Sequence, residues 1–294
     1  MVKKTKKIIL RSLLKVEDFI LSLYKNKYLK SERIPWTVGY SEYKYDFIGD
    51  LINSNKLAVF ATRQLPTGYG YRLDERAVEY PWFFARLKET ERMILDAGSV
   101  LNHRQILSAE KLQGRNLYIS TLFYEARPEI SPSPSYIYED LRDMCFRDDF
   151  LDAICCLSTL EHVGMDNTKL YTPDTSKNEN NHDSYLKVIS EFKRVLKPGG
   201  TLYLSIPFGV NKNHGWLQVF DSAMLNSIIE TFGPQSFSKT FFRYENDQWN
   251  FSTEDKCQDG YCFDIHENKV YEKDYLAFAR CVVCVELIKG EKPL

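Results

Sequence analysis

The sequence lacks a large excess of charge of either sign. Its 294 residues include 39 basic and 40 acidic side chains, which give a formal net charge of −1. A protein that grips a phosphate backbone is usually far more basic, so we expect no nucleic-acid partner. Low-complexity tracts are also missing, and hydrophobic residues make up 44% of the chain. This composition predicts a folded protein with a large core.

No long uncharged apolar run is present either. The N-terminus begins with basic residues and then becomes apolar, but no small-residue cleavage site follows. The charged residues that interrupt the apolar stretch are Arg11, Lys15, Glu17 and Asp18. We therefore expect an amphipathic helix here and no transmembrane segment.

A disulfide framework is the third absence. Cys281 and Cys284 form a CxxC pair, and Cys257 and Cys262 lie in CQDGYC, so a four-thiolate zinc site is one interpretation. Residues three apart in a strand point to opposite faces, which spoils that chelate. The pattern favours buried, reduced cysteines, no bound metal and a cytoplasmic location.

From Met93 onward, apolar strands alternate with helices. Five strands are predicted at MILDAG, RNLYISTLF, SYIYEDL, LDAICCLS and TLYLSIPF, and the almost wholly apolar fourth is expected to be covered on both faces. Helices are predicted at SYLKVISEFKRVLK and FDSAMLNSIIETFG, a sixth strand at SKTFFRYENDQWNF and a seventh at AFARCVVCVELI. This alternation predicts a doubly wound α/β sheet with right-handed crossovers.

Two loops at strand ends indicate where a ligand binds and which class of ligand it is. The stretch RVLKPGGTLYLSIPFG stops a helix and begins a buried strand at once, and its strand ends where open parallel sheets bind ligands. The loop after the first strand reads GSVLNH and has one glycine, whereas nicotinamide enzymes use G-x-G-x-x-G to hold a pyrophosphate. The sequence therefore argues against a dinucleotide oxidoreductase.

The order of these motifs resembles the class I S-adenosylmethionine-dependent methyltransferases of the type 11 kind. The similar blocks lie between roughly residues 90 and 210 and are ILDAGS, the acid that closes strand three, LDAICCLSTLEHV and FKRVLKPGGTLYLSIPFG. The resemblance implies a seven-stranded Rossmann-like methyltransferase domain at 91–294, with its cofactor-binding half at 91–210 and C-terminal strands and substrate loops at 211–294. It also implies a helical, aromatic lid at 1–90 and S-adenosylmethionine as cofactor.

The resemblance assigns residues to the cofactor. Gly98 would let the backbone approach the methionyl part, and Asp140 would lie near the adenine amine. The acid that closes strand two in the family is missing, so Ser120 or Thr121 stands at the ribose, with Glu125 a few residues on. The predicted cofactor residues are Asp96, Gly98, Ser99, Asn102, Ser120, Thr121, Asp140, Leu141 and Leu157.

A base is expected after strand four or strand five. Methyl transfer to an alcohol needs proton removal, and histidine, with an ordinary pKa of about 6.5, suits this task. The candidates are His162 in STLEHVGMDN, His214 in GVNKNHGW and the acid Glu161. Quinone-type O-methyltransferases carry a Glu-x-x-Glu-His run associated with a metal, but Ser158 replaces the first acid here. In the other interpretation, Glu161 and His162 only brace the following segment.

The stretch GYGYRLDERAVEYPWFFARL interleaves acids and arginines with aromatic rings, which suits a polyhydroxyl acceptor. The predicted substrate residues are Arg72, Asp74, Glu75, Arg76 and Trp82; the other interpretation is a solvated helix face. We therefore predict an O-methyltransferase for a small polar acceptor, a sugar or nucleotide-sugar of surface polysaccharide biosynthesis. The alternatives are a metal-assisted phenolic O-methyltransferase and a non-catalytic binding or scaffold protein that retains the fold.

Overall fold

A computed structural model describes residues 19–125, 128, 134–169 and 171–291. The amphipathic helix predicted at the N-terminus lies largely outside these ranges. Within them, no helix combines the length and the apolar character that a bilayer crossing requires.

A mixed sheet of eight strands forms the centre of the molecule. Its order is β3-β2-β1-β4-β5-β10-β8-β9, with β1 to β5 parallel and β10 antiparallel to both β5 and β8. The strands are β1 Met93–Ala97, β2 Asn116–Thr121, β3 Ser135–Tyr138, β4 Leu151–Leu157, β5 Leu196–Pro207, β8 Ser236–Glu245, β9 Gln248–Ser252 and β10 Cys281–Ile288, while β6 Lys212–Asn213 and β7 Gln218–Val219 form a separate ribbon. The predicted doubly wound fold is confirmed, and its strand order reverses between β1 and β4.

Helices cover both faces of this sheet. Helix α1 contains residues 19–29, and the others are α2 Tyr40–Ile52, α3 Val59–Thr62, α4 Arg76–Arg86, α5 Arg104–Leu107, α6 Tyr185–Val195, α7 Ser222–Phe232, α8 Glu254–Cys257 and α9 Ile265–Asn268. Buried side chains of α2, α4 and α5 share one core with the sheet, and those of α6 and α7 share the other. Such burial of alternating strand residues on two faces is the main source of stability in a sheet of this kind.

The sheet has one strand more than predicted. The stretch SKTFFRYENDQWNF forms a hairpin of β8 and β9, in which Glu245 pairs with Gln248. Its two turn residues, Asn246 and Asp247, have φ values of 53° and 62°. Asn and Asp tolerate this left-handed conformation, which a two-residue hairpin turn needs.

The Lys-Pro-Gly-Gly segment lies inside β5 and interrupts its pairing with β4. Leu151 pairs with Leu196, and the next pair is Ala153 with Thr201, so residues 197–200 bulge out of the ladder. Gly199 adopts a φ of 74° in this bulge, which glycine allows without strain. The bulge comes shortly after α6, which ends at Val195, and beyond it β5 continues beside β4 to the sheet edge where the parallel strands end.

Candidate active site

Two pockets lie beside each other where the parallel strands end. The first is narrow, about 60 Å³, and the second is a cleft of about 800 Å³. Five predicted cofactor residues line the first pocket: Gly98, Ser120, Thr121, Asp140 and Leu141. Three predicted substrate residues line the second: Asp74, Glu75 and Arg76.

The loop after β1 is shaped by Asp96 and Gly98. The buried Asp96 carboxylate accepts hydrogen bonds from the backbone N–H groups of Val100 (3.1 Å) and Leu101 (2.8 Å), and burial raises its pKa to about 7. Gly98 has a φ of 116°, and a Cβ there would lie 2.2 Å from Oγ1 of Thr159. Glycine is required at this position because Thr159, which lines the same pocket, fills the space beside it.

The end of β2 places hydroxyl groups where the family has an acid. Ser120 Oγ donates a hydrogen bond to Glu139 Oε1 at 3.0 Å. Glu125, which follows the strand, accepts a hydrogen bond from Ser99 Oγ at 2.9 Å, so its carboxylate contacts the loop after β1. Asn102 Oδ1 accepts a hydrogen bond from the Tyr136 hydroxyl at 2.6 Å, which links the loop after β1 to β3.

Asp140 forms an ion pair with Arg142, which the sequence reasoning missed. The Asp140 oxygens accept from Arg142 Nε at 3.0 Å and Nη2 at 2.6 Å, and Nη2 also donates to Glu179 at 2.7 Å. Burial opposes ionisation of Asp140, but these bonds outweigh it and hold its pKa below the usual range. Arg142 also lines the pocket, so the Asp140 carboxylate and the Arg142 guanidinium group lie side by side in its wall.

His162 lines both pockets. Its Nδ1 lies 2.9 Å from the backbone carbonyl oxygen of Trp216, and its ring stacks on the Trp216 ring with centroids 5.4 Å apart. A carbonyl oxygen only accepts, so Nδ1 carries the hydrogen and Nε2 keeps a lone pair. Burial lowers the pKa of His162 to about 4. The imidazole is therefore neutral at pH 7, as a proton acceptor must be.

Arg76 joins α4 to the ends of β4 and β5. Its Nη1 donates to Glu79 Oε2 and to the Leu157 carbonyl oxygen, both at 2.9 Å. Glu79 is fully buried, and its Oε1 accepts from the Ser158 hydroxyl at 2.5 Å and the Ser205 hydroxyl at 2.7 Å. Leu157 thus contacts Arg76 through its carbonyl oxygen but lines neither pocket, whereas Arg76 lines the cleft.

Aromatic and apolar side chains from distant parts of the chain complete the cleft. They are Trp36, Tyr45, Trp216, Phe263, Ile265, Ala277 and Phe278. No single local motif marks them, because they come from segments near residues 36, 45, 216, 263–265 and 277–278 that are far apart in the sequence. For the five aromatic members, aromatic character was the only signal that the sequence offered.

Four predicted cofactor residues line neither pocket: Asp96, Ser99, Asn102 and Leu157. Two predicted substrate residues, Trp82 and Arg72, and one predicted base, His214, also lie outside both. Trp82 is buried in the core with its ring edge-on to Tyr203. Arg72 pairs with Asp247 at 2.8 Å and stacks on Tyr275 at 3.8 Å. His214 is absent from the residues that line the two pockets, and burial lowers its pKa.

The seven cysteines are free thiols, and Cys257, Cys262, Cys281 and Cys284 are all buried. Within the described ranges, no three His, Cys, Asp or Glu side chains are grouped so that they could hold a metal ion.

Residues 115–204, from the start of β2 through most of β5, match a family model described as a methyltransferase domain. The match confirms the resemblance seen in the sequence: the protein carries a class I, S-adenosylmethionine-dependent methyltransferase domain. S-adenosylmethionine is the cofactor of this class. No curated protein matches the chain.

Several solved structures are similar at low identity. An S-adenosylmethionine-dependent methyltransferase from Archaeoglobus fulgidus has 12% identity and a TM-score of 0.47, covering 76% of this chain and 97% of that one. A possible histamine N-methyltransferase from Thermotoga maritima has 13% identity and a TM-score of 0.43, covering 84% and 100%. The 1,6-didemethyltoxoflavin N1-methyltransferase of Burkholderia thailandensis, with S-adenosylhomocysteine bound, has 11% identity and a TM-score of 0.40, covering 68% and 72%.

The first pocket suits S-adenosylmethionine in its chemistry. Leu122, Leu141 and Val163 supply apolar surface for an adenine ring, and Thr121 and Asp140 supply oxygens for polar groups of the nucleoside. A binding pocket of this kind is mostly apolar with a few placed polar groups.

Proposed function

We propose that the protein transfers a methyl group to a hydroxyl oxygen of a small polar acceptor, a sugar or nucleotide-sugar, bound in the 800 Å³ cleft. The observation that carries this proposal is the position of His162 on the wall that both pockets share. S-adenosylmethionine supplies the electrophilic methyl group when bound. The residues of the chain then have two tasks, to align the acceptor hydroxyl and to take its proton.

His162 is suited to the second task. The proton of the acceptor hydroxyl passes to Nε2, because Nδ1 already donates to the Trp216 carbonyl oxygen. That hydrogen bond and the stacking on Trp216 fix the ring, so the orientation of the base costs little on binding. The same hydrogen bond raises the basicity of His162 while burial lowers it, and the net pKa is about 4.

A sugar-like acceptor fits the mixture of side chains in the cleft. Trp36 and Trp216 offer rings to the apolar faces of a sugar, and Asp74 and Arg76 offer polar groups to its hydroxyls. The free thiols support a cytoplasmic location, which is part of this proposal. A role in surface polysaccharide synthesis is also part of it.

The test is methyl transfer from labelled S-adenosylmethionine to a panel of UDP-hexoses and methyl glycosides, with catechol and primary amines as other acceptor classes. We expect turnover with a hydroxylated sugar and a loss of roughly a hundredfold to ten-thousandfold in His162→Gln, the usual range for a lost general base. The exposed His182 provides a matched control, His182→Gln. Turnover of catechol alone would favour the phenolic alternative, and cofactor binding without any turnover would favour the scaffold alternative.

A further inference from the structure

Glu161 carries a buried carboxyl group with one unsatisfied oxygen. The residue is 2% exposed, lines the acceptor cleft and directly precedes His162. Among the described residues, Oε2 has no hydrogen-bond partner. Leaving a buried polar atom unpaired costs about 1–3 kcal/mol, so such an atom in a pocket wall points to a partner that a ligand supplies.

The surroundings of Glu161 favour its neutral form. Burial is the largest effect, and together with Glu75 and Glu79 it raises the pKa of Glu161 to about 8, against the lowering effect of its own backbone N–H and of Arg76. The other titratable groups that interact with it are Cys156 on β4, Tyr171 and Cys262. At pH 7 the carboxyl group therefore carries an O–H that can donate.

Resting on the proposed function, we infer that the Glu161 carboxyl group donates a hydrogen bond to a neutral oxygen of the acceptor, next to the oxygen that receives the methyl group. The acceptor class is then a hydroxylated, uncharged ring. An ammonium compound is disfavoured, because a cation needs the carboxylate rather than the acid at this point.

The sign of the pH dependence separates these two ligand classes. Glu161 has a raised pKa, so its donor is present below about pH 8 and is lost as the pH rises through that value. A neutral acceptor must bind more weakly at pH 9 than at pH 6.5, by roughly tenfold when only the protonated form binds. A permanently cationic ligand must bind more tightly over the same interval.

Methyl β-D-glucopyranoside and choline are the probes, titrated into the S-adenosylhomocysteine-loaded protein at pH 6.5 and pH 9 by calorimetry. We expect the glucoside to lose about tenfold in affinity in the wild type. Glu161→Gln keeps an N–H donor, so its affinity at pH 6.5 should stay within a few fold and its pH dependence should shrink. Glu161→Ala should bind several fold more weakly at pH 6.5.

Two comparisons make the result specific. Glu75 also has a pKa raised by burial to about 8 and faces the same cleft, so the difference between wild type and Glu161→Gln isolates Glu161. Glu230→Gln removes an exposed carboxylate on α7 and should keep the wild-type pH dependence.

The inference is overturned by any of three results: equal pH dependence of glucoside affinity in wild type and Glu161→Gln, no glucoside binding at either pH, or a glucoside affinity that stays constant with pH while choline affinity rises. If the glucoside binds with the expected signature but no sugar is methylated, the proposed function fails, while the hydrogen bond from Glu161 to a neutral ligand oxygen stands. If a sugar is methylated but its affinity is the same in wild type and in the Glu161 variants, the inference fails and the proposed function stands.

Discussion

Thr159 Oγ1 occupies the space that a side chain at Gly98 would need, with only 2.2 Å between that oxygen and a Cβ built on the glycine. The contact joins the loop after β1 to the loop after β4 at the cofactor pocket. The two loops fit together only because one of them carries no side chain at this point.

Gly98→Val should abolish cofactor binding and lower stability. The substitution adds a steric clash with Thr159 to the strain of a branched side chain at a φ of 116°. Calorimetry with S-adenosylhomocysteine and thermal denaturation measure the two effects. Gly114→Ala is the control for backbone strain alone, since Gly114 has a φ of 71° and no atom within 4 Å of its Cβ position. Wild-type cofactor affinity in Gly98→Val would show that this loop is not at the cofactor.

Asp140→Ala should weaken cofactor binding by about 1–3 kcal/mol, the scale for a lost partner of a polar group. It also releases Arg142 from its ion pair. Asp148→Ala, which removes an exposed carboxylate paired with Arg194, should leave the affinity unchanged. Equal affinities in wild type and Asp140→Ala, measured by calorimetry, would move the adenine to another part of the pocket.

Ionisation of the base should change the rate of methyl transfer very little between pH 5 and pH 7. The pKa of His162 is lowered by burial to about 4, so the neutral form is present above that value and is lost only below it. This differs from the pKa near 6.5 expected from the sequence. A kcat/KM profile recorded with the best sugar acceptor tests it, and a single ionisation near 6.5 that disappears in His214→Gln would make His214 the base.

EDTA should leave activity largely intact. Magnesium prefers several oxygen ligands in a near-octahedral shell, and Ser158 stands where a first carboxylate would be. The assay compares turnover before and after chelation. Complete loss of turnover that magnesium restores would favour the phenolic, metal-assisted alternative and make Glu161 a ligand.

Those predicted site residues that line the two pockets come mostly from local motifs in the sequence. Gly98, Asp140 and His162 follow β1, β3 and β4 respectively, and strand ends are recognisable from apolar runs that stop. Arg142 was missed because nothing in its spacing indicates the ion pair with Asp140. Trp36 and Trp216 were missed for another reason: they line one cleft only in the folded protein, and their separation in sequence hides this. The hairpin at Asn246 and Asp247 was missed because no glycine marks its turn.

One short segment faces both pockets. Asn167 and Tyr171 line the first, and Lys169 lines the second. A ligand that fixes Asn167, Lys169 and Tyr171 in one arrangement while bound in one pocket therefore changes the free energy of ligand binding in the other pocket. Thermodynamic reciprocity then requires each ligand to alter the affinity for the other by the same factor, so the cofactor and the acceptor should bind as a coupled pair.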